Sequence, residues 1–104
     1  MIKLAKFGYI LTSRQAGKDA YSAFLPTLAQ ITENEEVVVD FEGVNTFSPS
    51  WGDEFLTPLQ ERFGKAVALT NAQNPSVALT IETLEGIHGD TYKIIKTGSD
   101  EVMK

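Results

Sequence analysis

One stretch of the chain, residues 46–54, brings hydroxyl and carboxylate side chains close together: Ser48, Ser50, Asp53 and Glu54. It follows an apolar segment and precedes an apolar helical pattern, which predicts a helix N-terminus at the carboxyl end of a strand. Free backbone amides and the helix dipole there stabilise a bound anion, or a phosphate on Ser50 or Ser48, by about 0.3–1 kcal/mol. Serine is also a preferred N-cap, so a structural reading stands beside this one, with Ser50 as the cap and Asp53 and Glu54 in the first turn.

The other titratable candidates are weaker as catalytic or metal groups. The adjacent carboxylates Asp53 and Glu54 point about 100° apart on a helix, which favours complementing its dipole over joint acid–base work. Asp40 can bind a metal or orient a hydroxyl, but the Glu42-Gly43 turn that follows favours hydrogen bonds to the backbone. His88 has no companion His or Cys, so we expect a surface or partly packed side chain and no ligand.

Composition excludes several classes of function. The 104 residues predict one domain, 1–104, and nine Lys and Arg against fourteen Asp and Glu give a net charge of -5, which argues against nucleic-acid binding. Without Cys and with one His, we expect no metal centre, and no phosphate-loop or dinucleotide motif suggests a cofactor. No apolar run approaches the ~20 residues that span a bilayer, and no signal-peptide pattern is found, so we expect a cytoplasmic protein without membrane contact.

The apolar spacing predicts a parallel α/β arrangement. Residues 37–41 are apolar up to Asp40 without alternation, which is typical of a central strand covered on both faces, and residues 66–70 form a second short strand. The intervening helix has an apolar stripe four residues apart, and Pro58 is expected to bend it. A right-handed βαβ unit follows. The stripe comprises Trp51, Phe55, Leu59 and Phe63, in which Trp51 fits either the core or an interface.

The flanking segments complete this pattern. A first helix is predicted from Thr12-Ser13, with a kink or break at residues 22–25 before Pro26. A third helix begins at Asn74-Pro75 and ends at Gly86. We expect a strand or strand pair in residues 1–11 and an edge strand or short helix at residues 92–95. The stripe of the first helix is Ala16, Ala20, Ala23 or Phe24, Leu28 and Ile31.

Several segments together resemble a known family. A strand ending in Asp-Phe-Glu-Gly-Val at residues 40–44 and a helix opening with Ser-Trp-Gly-Asp-Glu at residues 50–54 resemble the STAS-like domain family of unknown function, over about residues 8–84. More distantly, the chain is similar to the STAS domains of bacterial anti-anti-sigma factors, whose phosphorylatable serine corresponds to Ser50. The resemblance implies a single-domain α/β fold with a mixed, mostly parallel four- to five-stranded sheet and about three helices.

The resemblance also implies a function: a bacterial regulatory protein-interaction module that is not an enzyme. Its partner would be a kinase of the histidine-kinase-like ATPase superfamily or a sensor, with Ser50 or Ser48 phosphorylated. The partner surface would comprise Ser48, Ser50, Trp51, Asp53 and Glu54. One alternative is a small anion- or nucleotide-binding domain or enzyme that places Asp40, Ser50, Asp53 and Glu54 around an anion or Mg²⁺. Another is a structural subunit that forms a homodimer through a sheet edge at residues 1–11 or 92–96.

Overall fold

The computed structural model describes residues 1–32 and 35–95, which form three α-helices and six short strands. In chain order the elements are β1 (Ile2–Lys3), a 3₁₀ turn (Leu4–Phe7), β2 (Ile10–Leu11), α1 (Arg14–Leu28), β3 (Val37–Asp40), β4 (Thr46–Phe47), α2 (Pro49–Phe63), a second 3₁₀ turn (Gly64–Ala66), β5 (Val67–Thr70), α3 (Pro75–His88) and β6 (Lys93–Ile94).

The main sheet has four strands in the order β1-β3-β5-β6, and every neighbouring pair is parallel. The two central strands pair from Val37 with Val67 to Asp40 with Thr70, which confirms the predicted central strand and βαβ unit. Strands β2 and β4 form a separate parallel pair. Residues 93–94 form an edge strand, as one of the two alternatives expected. Dimer formation through the edges β1 and β6 stays a prediction, and residue 96 lies outside the described residues.

The helices form one layer over the sheet. Right-handed crossovers that always step in the same direction along the sheet put α1, α2 and α3 on one face, where α1 packs on α2 and α2 packs on α3. Strand residues such as Val39 and Leu69 point into the same core as Trp51 and Phe55. Among the described helices, none has the length and apolar content needed to cross a bilayer.

Helix α1 begins as predicted but differs from its prediction at its C-terminal end and in its buried stripe. Ser13 is the N-cap, and its hydroxyl accepts a hydrogen bond from the Ala16 amide at 3.1 Å. The helix runs unbroken through Pro26, which stands in its last turn, and it ends at Leu28. A proline there removes only one helical hydrogen bond, and Phe24 and Leu28 are both buried and hold the turn in place. Residue 16 is exposed, and Gly17 is buried instead.

Helix α3 begins as predicted and ends later. The Asn74 side chain accepts a hydrogen bond from the Ser76 amide at 2.7 Å, and Pro75 is the first helical residue. The predicted end at Gly86 is wrong, since the helix continues to His88. Gly89, with φ 76°, adopts the left-handed conformation that ends it.

Candidate functional site

Ser48 caps helix α2. Its Oγ accepts a hydrogen bond from the Trp51 amide at 3.3 Å and donates one to the Thr12 carbonyl oxygen at 2.9 Å. Pro49 is the first helical residue, a position at which the missing amide hydrogen costs nothing. The prediction that Ser50 is the cap is therefore wrong, and Ser48 joins the start of α2 to the start of α1.

Ser50 is the second residue of α2 and is half-buried. Within the described part of the chain, its hydroxyl makes no side-chain hydrogen bond of the kind that holds Ser48. The two candidate phosphorylation sites thus differ in their hydrogen bonds: the Ser48 hydroxyl makes two, and the Ser50 hydroxyl makes none of this kind among the described residues.

The segment that leads into α2 is fixed on two sides. On one side the Tyr9 carbonyl accepts hydrogen bonds from the Asn45 and Thr46 amides at 2.8 and 3.1 Å, and the Ser48 amide donates to Leu11 at 2.9 Å. On the other side, α3 holds Phe47: the Ser76 hydroxyl accepts from the Phe47 amide at 3.0 Å, and Ser76 and Thr80 both donate to the Phe47 carbonyl oxygen. The backbone before Ser50 is therefore anchored to β2 and α3.

Asp53 and Glu54 lie beyond the first turn of α2, which contains no acidic residue, so the prediction that they complement the helix dipole there is wrong. Arg14 Nη1 of α1 donates to Glu54 Oε2 at 2.6 Å and to Asp53 Oδ2 at 3.4 Å. His88 Nε2 of α3 lies 2.8 Å from Asp53 Oδ1, and the Thr57 hydroxyl donates to the same oxygen at 2.9 Å. The two carboxylates connect all three helices.

These contacts set the charge state of the cluster. Partial burial alone would raise the pKa of Asp53, but hydrogen bonds from His88, Thr57 and Arg14 outweigh it and hold that pKa below its usual value. Hydrogen bonds to Glu54 and then to Asp53 raise the pKa of the Arg14 guanidinium. Asp53 is therefore an anion at neutral pH. Its carboxylate lies between Arg14 Nη1 of α1 and His88 Nε2 of α3.

Asp40 is separate from this cluster. It is 4% exposed, and its Oδ1 accepts hydrogen bonds from the Glu42 amide at 2.9 Å and from Asn71 Nδ2 at 2.8 Å. This confirms the turn interpretation, in which Asp40 stabilises the chain after β3. The described residues include no group of three His, Cys, Asp or Glu side chains placed to hold a metal ion.

Trp51 lies in the core. It is 1% exposed, and its ring stacks on Phe55 with centroids 5.2 Å apart and an interplanar angle of 20°. The expectation that its side chain forms part of a partner surface is therefore wrong. Ser48, Ser50, Asp53 and Glu54 are all partly accessible around the start of α2.

Sequence reasoning missed two parts of this region. The contact of His88 with Asp53 depends on the packing of α3 against α2, and no local sequence pattern predicts it. Tyr9 and Ile10 are 66% and 68% exposed, although both are large apolar residues in a segment that alternation would partly bury. No sequence pattern indicates the exposure of Tyr9 and Ile10, because it depends on the shortness of β2, which only the structure shows.

Comparison with models of protein families places residues 17–76 in the STAS-like domain of unknown function (DUF4325). This match covers more than half of the 104 residues. The chain belongs to this family. No curated protein and no solved structure matches the chain. The match confirms the resemblance drawn from the sequence and agrees with a STAS-like arrangement of three helices on a parallel sheet. Membership suggests a regulatory module, and STAS-like domains are generally not enzymes.

Proposed function

We propose that this STAS-like domain is a regulatory protein-interaction module that binds a protein partner around the start of α2 and releases it when Ser50 is phosphorylated. The partner is a kinase of the histidine-kinase-like ATPase superfamily or a sensor protein. The observation that carries the proposal is the uncommitted, partly accessible hydroxyl of Ser50, one helical turn before the carboxylates that Arg14 holds.

Ser50 is a better acceptor of phosphate than Ser48. Phosphorylation of Ser48 would replace the hydrogen that the capping Oγ donates to the Thr12 carbonyl oxygen, and it would so break the bond that joins the cap to α1. Phosphorylation of Ser50 leaves that cap intact and places the new charge in the first helical turn, where the helix dipole stabilises an anion. The fold therefore tolerates a phosphate at Ser50 better than at Ser48.

A phosphate on Ser50 would also act on the charged cluster. Asp53 and Glu54 follow Ser50 by three and four residues, so their side chains share its face of the helix. The phosphate adds between one and two negative charges there and competes for Arg14, which lies 2.6 Å from Glu54. The charge pattern of the surface changes, and a partner that binds Arg14 or the two carboxylates through opposite charges loses those contacts.

An apolar surface adjoins this region. Tyr9 and Ile10 are exposed, and Ile10 pairs with Thr46, four residues before Ser50. Pro49, which precedes Ser50 in the chain, is exposed as well. Exposed large apolar residues next to polar ones are typical of protein-binding surfaces, so Tyr9 and Ile10 supply contact area while the Ser50 region supplies control.

The test begins with the tagged protein expressed at native level in its own host. Mass spectrometry identifies co-purifying proteins and any phosphate on Ser48 or Ser50. The affinity of the stoichiometric partner is then measured for Ser50→Ala, Ser50→Asp and the control Ser22→Asp, which adds the same charge at an exposed position of α1. We expect Ser50→Asp to weaken binding at least about tenfold, as expected when one charge opposes a hydrogen-bonded charged contact.

Ser50→Ala and Ser22→Asp should bind as the unaltered protein does. Equal affinities for Ser50→Ala and Ser50→Asp would exclude Ser50 from the control of binding. A partner that binds Ser22→Asp as weakly as Ser50→Asp would show that net charge alone is responsible. An unmodified protein that co-purifies with no partner would contradict the proposal as a whole.

A further inference from the structure

Arg14 lies over the face of α2 that Ser50 occupies. Its Nη1 contacts Glu54 Oε2 at 2.6 Å and Asp53 Oδ2 at 3.4 Å. At about 3.6 residues per turn, the third and fourth residues after Ser50 lie about 60° to one side and about 40° to the other side of its direction. A side chain that contacts both of them is therefore close to the line that runs along the helix through Ser50.

The starts of α1 and α2 are already joined beside this line. Ser48 Oγ donates a hydrogen bond to the Thr12 carbonyl oxygen at 2.9 Å. Ser50 follows Ser48 by two residues, and Arg14 follows Thr12 by two, so both side chains belong to the same corner of the domain. The guanidinium is about one helical turn, about 5.4 Å, from Ser50 along the helix axis. A long side chain that is 55% exposed can make this displacement by rotation about its own bonds.

The carboxylates that Arg14 would leave have other ways to be stabilised. Asp53 keeps its hydrogen bonds with the His88 ring at 2.8 Å and with the Thr57 hydroxyl at 2.9 Å. The Glu54 side chain is 27% exposed, so water can replace the guanidinium there. Because ion pairs with solvent access contribute little to stability, the departure of Arg14 costs the cluster little.

A phosphate on Ser50 attracts Arg14 more strongly than Glu54 does. At neutral pH it carries between one and two negative charges on three acceptor oxygens, whereas the glutamate carries one charge on two oxygens. A guanidinium forms two parallel hydrogen bonds to phosphate oxygens. Asp53 and Glu54 repel the phosphate from the same face of the helix, and the pairing with Arg14 offsets this repulsion.

We propose that Arg14 binds the phosphate of phosphorylated Ser50 and leaves Glu54 and Asp53 to do so. This inference rests on the proposed function, since it concerns the phosphorylated form of the same site. The unmodified domain presents an arginine paired with Glu54. The phosphorylated domain presents an arginine paired with phosphate and a Glu54 carboxylate that faces solvent. The partner thus meets a different arrangement of charges, in addition to a more negative one.

The test uses the full chain with phosphoserine incorporated at position 50 during translation, so that no kinase or partner is required. A pH titration followed by ³¹P NMR measures the second pKa of the phosphate, which is about 6 for an ordinary phosphoserine. We expect Arg14→Gln to raise this pKa by about 0.5–1 pH unit relative to the chain that keeps Arg14, because the dianion loses its cation.

Arg62→Gln is the matched control. It removes the same charge from the last turn of α2, about 18 Å along the helix from residue 50. Screening reduces interactions between exposed charges beyond about 10 Å, so this variant should leave the phosphate pKa unchanged.

A crystal structure of the chain with phosphoserine separates direct contact from attraction at a distance. We expect an Arg14 nitrogen about 2.7–2.9 Å from a phosphate oxygen and no contact between Arg14 and Glu54. An Arg14 side chain that stays on Glu54 would overturn the inference. A phosphate pKa that Arg14→Gln raises no more than Arg62→Gln does would overturn it as well.

The proposed function fails by a different result, which is the absence of both phosphate and partner from the protein purified from its own host. That result does not alter the measurements on the chain with phosphoserine. Conversely, a phosphate that releases the partner without binding Arg14 would support the proposed function and contradict this inference.

Discussion

Helices α1 and α2 approach each other too closely at Gly17 to admit a side chain. A Cβ placed on Gly17 would lie 2.6 Å from the Trp51 carbonyl oxygen and 3.0 Å from the Trp51 Cα. Both are backbone atoms of a residue whose ring is buried in the core, so they cannot rotate away. Gly17→Ala must therefore push the two helices apart at the point where Ser48 and Arg14 also connect them.

The size of the effect follows from two opposed contributions. Ordinary contacts of a Cβ begin at 3.4 Å, so relief of the 2.6 Å contact needs a shift of about 0.8 Å. Overpacking of this kind costs about 1–3 kcal/mol, whereas alanine is preferred to glycine inside a helix by about 0.5–1 kcal/mol. We expect Gly17→Ala to lower the free energy of unfolding by about 1–2 kcal/mol, because the packing cost exceeds the helical preference.

Gly86→Ala is the matched control. Gly86 lies inside α3, and a Cβ there would meet no atom within 4 Å. Only the helical preference acts, so this variant should be about 0.5–1 kcal/mol more stable than the unaltered protein. The same substitution thus has opposite signs at the two positions. Urea unfolding followed by circular dichroism and by the fluorescence of Trp51, the single tryptophan, measures both variants.

Equal stability of Gly17→Ala and Gly86→Ala would contradict this prediction. In that case α1 and α2 are not in backbone contact at this point. The result would also contradict the hydrogen bonds that Ser48 and Arg14 make across the same interface. Loss of stability in both variants would instead show that residue 86 is packed, contrary to its open surroundings.

Two further predictions concern the cap and the buried tyrosine. Ser48→Ala should lower the free energy of unfolding by about 1–2 kcal/mol, since it removes the cap and the bond to Thr12. Ser50→Ala should change the free energy of unfolding by less than about 0.5 kcal/mol. Equal losses for the two variants in urea unfolding would contradict the assignment of the cap. Tyr92 has a folded pKa of about 12 against 10.0 for an ordinary tyrosine, so the unfolded state loses the proton first and stability falls as pH rises from 10 to 12. The loss is about 1–2 kcal/mol in total, less than the full shift would give because solvent screens part of the phenolate charge. Tyr92→Phe should remove this loss from the pH dependence of thermal unfolding. A variant whose stability declines as steeply as that of the unaltered protein would refute the burial of the hydroxyl.

The sequence predicted the elements whose signals are local. The three consecutive valines at residues 37–39 identified β3, and Asn74-Pro75 identified the start of α3. Ser48-Pro49 has the same arrangement of a capping side chain followed by proline. The predicted cap of α2 was nevertheless two residues late, because the apolar stripe begins at Trp51 and Ser50 directly precedes it.

Other features depend on tertiary structure and carry no local signal. Gly86 and Gly89 are equally good helix stops in sequence, and only the left-handed conformation of Gly89 decides between them. The cluster around Asp53 joins residues of three helices, so its existence depends on how closely those helices pack. The family resemblance identified the correct region of the chain, but packing determined which of its side chains face solvent.

The anchoring of the backbone before Ser50 has a consequence for how that residue can be modified. Most protein-modifying enzymes that read an extended peptide would have to unwind the first turn of α2 to reach Ser50, and this local opening is opposed by the Ser48 cap and by the hydrogen bonds that hold Phe47. An enzyme that acts on the folded domain must instead recognise a helix. The rate of modification in the first case is set by the population of the frayed turn, so Ser48, which caps the start of α2, would govern the modification of Ser50 two residues away.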